Sequence, residues 1–188
     1  MNQAIGRVCV LPDPPALARH VAEWLTAAAS AANGSFRILL SGGSTPKKLY
    51  SLLASSEIRS EFPWQSVEWY WGDERVVPYD HPESNYRMVR EAMFDKVAVA
   101  PETIHPIPTD GSPEDAAWRY ERTLQRAYGA AVLDPESPHS STLLSWLVAL
   151  TVIQPRRCRK SPYSKNADAG SLLFRTVDPR FGSPPLIQ

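Results

Sequence analysis

Residues 36–46 read FRILLSGGSTP, and this stretch carries the clearest indication of the fold. The mostly apolar run Phe36 to Leu40 predicts a buried strand, and Pro46 opens a segment whose apolar residues recur at helical spacing. Two glycines separate the strand from the helix and predict a tight turn. The stretch therefore predicts a strand–turn–helix unit of the kind that builds parallel α/β sheets.

Strands and helices also alternate on both sides of this unit. The predicted strands are residues 7–11, 64–71 and 104–107, and the predicted helices are residues 15–32, 84–94 and 112–129. Such alternation predicts a parallel sheet flanked by helices. After Gly129 the alternation ends, and the chain becomes rich in Ser, Pro and Arg around one apolar run.

The overall composition is that of a small globular protein. The chain has 188 residues and a formal net charge of zero at pH 7, which argues against nucleic-acid and anionic-membrane partners. Its two cysteines, Cys9 and Cys158, are too few for a disulfide framework or a zinc site. The sequence has neither a signal-peptide pattern nor an apolar run of about 20 residues. We expect a cytoplasmic protein.

The turn at residues 41–46 has the composition of an anion site. It follows a strand and precedes a helix, where free backbone amides and the helix dipole favour a phosphate. Gly42 and Gly43 allow close approach of the backbone, and Ser44 and Thr45 add hydroxyl donors. The same composition fits a tight turn with a Ser/Thr cap and no ligand. A nucleotide-binding P-loop is excluded, because the glycine spacing and the Gly-Lys-Ser/Thr ending are absent.

Charged residues follow the third predicted strand directly. Asp73 and Glu74 supply carboxylates, and the guanidinium of Arg75 is suited to bidentate phosphate contact. Farther on, Ser84 or Asn85 caps the next predicted helix. Taken alone, this loop favours a solvated ion pair and a helix cap over a functional site.

Three motifs together resemble the 6-phosphogluconolactonases in order and spacing: LSGGSTP at 40–46, WGDERVVP at 71–78 and SNYRM at 84–88. The resemblance covers about residues 5–130. It implies the Rossmann-like three-layer α/β fold with a parallel sheet that this family shares with glucosamine-6-phosphate deaminases and ribose-5-phosphate isomerases (NagB/RpiA-like). It also implies a cofactor-free and metal-free hydrolase of 6-phospho-D-glucono-1,5-lactone in the pentose phosphate pathway.

The resemblance further implies how the substrate phosphate is held. The glycine turn would cradle the phosphate and a cation would clamp it, which assigns these roles to Gly42, Gly43, Ser44, Thr45 and Arg75. The implied partner is a small sugar phosphate, with no nucleic acid and no membrane. We expect a monomer.

On the sugar side, the resemblance places Asp73 beside the ring as the candidate catalytic residue. In the deaminase branch the matching Asp is the proton-transferring base. That branch commonly has Asp-Glu-Tyr, whereas this chain has Asp-Glu-Arg, which favours the lactonase. Glu74, Asn85 and Arg87 are further candidate contacts to the substrate.

The family's general base is missing from the sequence. Lactone hydrolysis needs a base to activate water, and the family supplies it from a Gly-His-Thr-Ala-Ser motif that this chain lacks. His139 lies in a Pro-His-Ser-Ser setting that does not match, and the other histidines precede the expected position: His20, His81 and His105.

A frameshift would explain the missing motif. Residues 149–156 read ALTVIQPR, for which the codons GCC CTG ACG GTC ATA CAG CCT CGC are allowed. Read from the third nucleotide, these codons give Pro-Asp-Gly-His-Thr-Ala-Ser. We therefore hypothesise a shift between Pro135 and Ser145, so that residues 1–136 are the N-terminal part of an incomplete lactonase-like domain. Residues 137–188, which contain no Glu, would be a poorly ordered out-of-frame tail.

Two other functions stay open. One is a glucosamine-6-phosphate isomerase/deaminase, for which Asp73 would be the base. The other is a non-catalytic sugar-phosphate-binding module; such modules usually carry a helix-turn-helix segment, and the sequence shows none.

Overall fold

The described residues, 8–128 and 172–175 of the computed structural model, form an alternating series of strands and helices. The strands are β1 (Val8–Leu11), β2 (Phe36–Leu40), β3 (Val67–Trp71), β4 (Ile104–His105) and β5 (Leu172–Arg175). The helices are α1 (Pro14–Ala31), α2 (Ser44–Leu53), α3 (Asn85–Ala92) and α4 (Pro113–Tyr128). Short 3₁₀ turns occupy Trp64–Ser66, Phe94–Lys96 and Pro101–Thr103.

Local chemistry sets the ends of these elements. Asp13 stands directly before two prolines, a pattern that predicts a helix N-cap, and it caps α1 because its carboxylate accepts from the Ala16 N–H at 2.7 Å. The second helix begins at Ser44, two residues before the predicted start, and Pro46 is tolerated in its first turn because the N–H it lacks would have no helical partner there. The third strand begins later than predicted, because the indole of Trp64 donates to the Arg59 carbonyl in a 3₁₀ turn.

The central sheet consists of three parallel strands in the order β2-β3-β4. Phe36 lies opposite Val67 on the neighbouring strand, and Leu40 lies opposite Trp71. The predicted parallel α/β sheet is thus confirmed for these strands. The first strand does not join them: β1 pairs antiparallel with β5 in a second sheet, which satisfies backbone groups that a lone edge would leave open.

One face of the parallel sheet packs on α1, α2 and α3. The core side chains of β2 and β3 on this face are Phe36, Ile38, Leu40, Val67, Trp69 and Trp71. The other face carries polar pairs between strands. Arg37 donates to Glu68 at 3.1 Å, and His105 stacks on Tyr70 with ring centroids 4.6 Å apart. Burial lowers the pKa of His105.

The remaining sequence predictions concern membrane crossing and the tail. No helix within residues 8–128 is both long and apolar enough to cross a bilayer. The hypothesised tail, residues 137–188, lies outside the described residues apart from the four of β5. The frameshift therefore stays a hypothesis.

Candidate functional site

The loops that follow β2 and β3 leave the sheet side by side, since these parallel strands end together. The N–H of Gly72 donates to the carbonyl of Leu40 at 2.8 Å, which continues the pairing one residue beyond the strands. Carboxyl ends of neighbouring parallel strands are where ligands of α/β folds bind. The glycine turn at 41–43 and the charged loop at 72–75 thus share one edge of the sheet.

Two buried tyrosines hydrogen-bond to the backbone at the ends of these two strands. The hydroxyl of Tyr50 accepts from the N–H of Ser41 and donates to its carbonyl, both at 3.0 Å. Tyr120 does the same for Trp71, at 2.8 and 2.9 Å. Burial raises the pKa of Tyr50 to about 12, so its hydroxyl remains able to donate. The sequence does not reveal this role, because apolar spacing accounts for Tyr50 as an ordinary core residue.

The glycine turn has a different steric requirement at each glycine. Gly43 has φ +111°, a left-handed conformation that favours glycine, and it caps α2. A Cβ at Gly42 would lie 2.0 Å from Oδ1 of Asn85, so the Asn85 carboxamide occupies the space of a side chain. Ser44 and Thr45 follow in the first turn of α2, and no described residue hydrogen-bonds to either hydroxyl. The turn therefore presents amides and hydroxyls that fit an anion.

Asp73 and Arg75 are in direct contact. The Arg75 guanidinium donates to the Asp73 carboxylate, with the two side chains 51% and 54% exposed. Such an exposed pair is screened by solvent and stabilises little, so the guanidinium remains available to a ligand. Asn85 Nδ2 donates to the Asp73 carbonyl at 2.9 Å and to its carboxylate at 3.2 Å. A continuous series of contacts therefore runs from Gly42 through Asn85 and Asp73 to Arg75.

The other two candidate contacts are engaged within the protein. Glu74 turns towards the start of α3, where its carboxylate accepts from the Asn85 and Tyr86 N–H groups at 2.8 and 2.7 Å. Arg87 pairs with Glu91 one turn along the same helix and donates to the Asp80 carbonyl at 2.7 Å. The Arg87 side chain thus makes none of the contacts that join Gly42, Asn85, Asp73 and Arg75.

Of two cavities in the described part of the chain, one is lined by predicted site residues and the other is not. One of about 410 Å³ lies between the charged loop, the segment after β4 and α4, and Arg75 lines it. Its other lining residues are mostly apolar: Glu74, Val76, Ile107, Pro108, Thr109, Pro113, Ala116, Ala117, Tyr120, Glu121 and Leu124. A larger depression of about 590 Å³ lies beside Trp64 and Lys96, near the start of β3, and contains no predicted site residue.

The described residues offer neither a metal cluster nor a histidine base at the site. No group of three His, Cys, Asp or Glu residues within them is arranged to hold a metal ion. His105 stacks on Tyr70 in the sheet, and His81 accepts from the Glu83 N–H in the loop before α3. The groups that follow β2 and β3 at the edge are the amides and hydroxyls of residues 42–45, the Asp73 carboxylate and the Arg75 guanidinium.

Comparison with known proteins decides the family. The model of the glucosamine-6-phosphate isomerases/6-phosphogluconolactonase family matches residues 12–144. The chain belongs to this family. The family indicated by the three sequence motifs is thus confirmed.

Similar proteins from bacteria agree with this membership. A 6-phosphogluconolactonase from Nostoc sp. is 44% identical over 126 residues, which are 65% of this chain and 51% of the relative. One from Haemophilus influenzae is 31% identical over 150 residues, which are 80% of this chain and 60% of the relative. The chain spans about half the length of the curated relatives it matches.

A solved structure confirms the fold class. The 6-phosphogluconolactonase of Thermotoga maritima is similar with a TM-score of 0.52 and 28% identity, over 59% of this chain and 49% of that chain. The chain thus shares the α/β fold with a parallel sheet that the sequence predicted.

Proposed function

We propose that this chain is the phosphosugar-binding part of a 6-phosphogluconolactonase, a carboxylic ester hydrolase that converts 6-phospho-D-glucono-1,5-lactone to 6-phosphogluconate. The observation that carries the proposal is the contact series from Gly42 through Asn85 and Asp73 to Arg75. It joins an amide-rich turn to a guanidinium at the edge of the sheet where ligands bind. The relatives named 6-phosphogluconolactonase support the lactone as substrate.

The phosphate would bind where α2 begins. The amides that follow Gly42 and Gly43 would donate to its oxygens, helped by the helix dipole and by the hydroxyls of Ser44 and Thr45. Arg75 would approach the same phosphate with its planar guanidinium, exchanging part of its contact with Asp73 for the ligand. This arrangement explains why a cation and a glycine turn lie at adjacent strand ends.

The lactone ring would then lie towards Asp73. Hydrolysis adds water to the lactone carbonyl and breaks the ring ester bond, which needs a base for the attacking water and donors for the oxyanion. Asp73 is half exposed and held by Asn85, so it can orient a sugar hydroxyl or a water. The family's histidine is not in this sequence, and we predict negligible turnover by the 188-residue chain.

An isomerase/deaminase acting on glucosamine 6-phosphate is the second candidate. The matching family model includes both activities, and Asp73 is the residue that would transfer the proton. Release of ammonia from glucosamine 6-phosphate by a frame-repaired version, without lactone hydrolysis, would favour this candidate. Phosphosugar binding without either reaction would instead favour a non-catalytic binding module.

The proposal extends to cell location and assembly. We place the protein in the cytoplasm as a monomer that uses no cofactor. Cell fractionation tests the location, and sedimentation of the purified chain tests the assembly.

Binding of 6-phosphogluconate to purified variants tests the proposed site. Arg75→Ala should weaken binding about tenfold or more in isothermal titration calorimetry, because a charge-assisted contact is lost. Arg87→Ala should change the affinity by less than about threefold, because its guanidinium is held by Glu91 and Asp80. Equal losses in both variants, or no binding by the unmodified chain, would contradict the proposal.

A further inference from the structure

The carboxylate of Glu74 is saturated by donors from its own protein. Oε1 accepts from the N–H groups of Arg75 at 2.7 Å and Asn85 at 2.8 Å. Oε2 accepts from the N–H of Tyr86 at 2.7 Å and from the hydroxyl of Ser84 at 3.3 Å. An ionised carboxylate has about four acceptor positions, and four donors fill them here. Glu74 therefore has no acceptor position left for a sugar hydroxyl.

The position of this carboxylate at the start of α3 makes its contacts strong. The first N–H groups of a helix have no partner within the helix, and its dipole favours a negative charge there. Ser84 satisfies one more of these groups, since its Oγ accepts from the Arg87 N–H at 3.2 Å. The two side chains together hold the N-terminus of α3 against the loop that follows β3.

The consequence is a fixed position for Asn85. Its backbone N–H is held by Glu74, and its carboxamide then reaches Asp73 on one side. On the other side its Oδ1 lies where a Cβ of Gly42 would be. Asn85 is buried, so this placement is not shared with solvent. Glu74 thus fixes the positions of the Asn85 and Asp73 side chains, although it hydrogen-bonds to neither of them.

We propose that Glu74 is a positioning residue, and not a substrate ligand, which locks the charged loop to α3 so that Asn85 aligns Asp73 with the glycine turn. This proposal rests on the proposed function for its effect on sugar-phosphate affinity. The hydrogen bonds from Arg75, Asn85 and Tyr86 to the Glu74 carboxylate, which we call the lock, are present in the free chain.

Amide hydrogen exchange and ligand binding, measured on the same variants, test the lock. In Glu74→Gln, at least one N–H of the helix start loses its acceptor, so the amides of Asn85 and Tyr86 should exchange about tenfold faster or more. The affinity for 6-phosphogluconate should fall by a similar factor in calorimetry. Glu83→Gln is the matched control, because Glu83 is exposed in the same loop and the same charge is removed. The control should leave both quantities within about twofold.

A second variant separates the lock from the residue that it positions. Asn85→Ala should leave the Tyr86 amide protected, because the Glu74 carboxylate still accepts from it, while the affinity for 6-phosphogluconate falls.

Glu74→Asp keeps the charge with a shorter reach and should restore part of the exchange protection that Glu74→Gln loses.

The outcomes distinguish this inference from the proposed function. Weaker binding by Glu74→Gln with unchanged exchange in the free protein would make Glu74 a direct ligand and overturn the inference. Unchanged exchange and unchanged affinity would overturn it as well. If the unmodified chain binds no 6-phosphogluconate, the proposed function fails, and the exchange rates alone then support or overturn the lock.

Discussion

The carboxamide of Asn85 and the missing side chain of Gly42 form one steric unit. An ideal Cβ at Gly42 would lie 2.0 Å from Oδ1 and 2.6 Å from Cγ of Asn85, distances that real Cβ atoms do not show. Asn85 cannot swing away freely, because it is buried and bonded to Asp73. The glycine turn and the charged loop are therefore coupled through a single side chain.

A double-mutant cycle tests this coupling. Gly42→Ala should destabilise the protein by roughly 1–3 kcal/mol, because overpacking forces Asn85 from its position. The same substitution in an Asn85→Ala background should cost less by about 1 kcal/mol or more, because the clashing atoms are gone. Urea unfolding of the four proteins measures both values. Additive costs would show that Gly42 and Asn85 are independent.

The hydroxyl of Tyr50 ties the glycine turn to α2 in a pH-dependent way. The pKa of Tyr50 is raised by burial to about 12, from about 10 in the unfolded chain. The folded state thus holds this proton more tightly, and the resulting stability is present below pH 10 and is lost as the pH rises towards 12.

Removing this hydroxyl should therefore matter less at high pH. Tyr50→Phe should cost about 1–3 kcal/mol near pH 9, because the buried polar groups of Ser41 lose their partner. The cost should shrink by pH 11, where the unmodified chain has lost part of the same stability. Denaturant unfolding at the two pH values gives the comparison. A cost that grows with pH would contradict the role of the buried phenol.

At the scale of elements, apolar spacing and end signals predicted most of the architecture. β2 has the predicted bounds, and Asp13 caps α1, because both features depend on neighbours in sequence. Periodicity places Trp64 in a strand. It gives no sign of the hydrogen bond from the indole to the Arg59 carbonyl, which belongs to the 3₁₀ turn found there. The antiparallel pairing of β1 with β5 likewise joins residues far apart in the sequence, and a local pattern does not specify it.

For the candidate site, the sequence predicts which residues lie at the sheet edge but not which partners their side chains have. The residues that end strands or begin helices, such as Gly42 and Asp73, lie together because parallel strands end at one edge. The motif alone makes Arg87 a candidate substrate contact, although Glu91 four residues later is a sequence signal for a competing helical ion pair. The saturation of Glu74 could not be predicted, since it depends on how α3 returns to the loop.

At the scale of the whole molecule, the described part contains the sheet edge at which we propose that the phosphate binds. The family model matches residues 12–144, and the Nostoc relative is matched over 51% of its length. The sheet in the described range has three parallel strands, with the site at their carboxyl ends. Binding by this chain and turnover by a frame-repaired version can therefore be tested separately.

Repairing the reading frame tests the link between the missing histidine and turnover. If the gene carries the hypothesised shift, a frame-repaired protein should hydrolyse 6-phospho-D-glucono-1,5-lactone at least about 100-fold faster than the 188-residue chain, because a general base contributes about that much or more. Gene sequencing and a lactonase assay of both proteins provide the measurement. An intact frame with clearly different codons at 149–156, or equal activity of the two proteins, would contradict the hypothesis.

The most direct test of the central claim is a crystal structure of the chain soaked with 6-phosphogluconate. The account predicts that the phosphate lies at the start of α2, within hydrogen-bonding distance of the amides of Ser44 and Thr45 and of the guanidinium of Arg75. A phosphate bound elsewhere, with Arg75 still on Asp73 and the turn unoccupied, would contradict it.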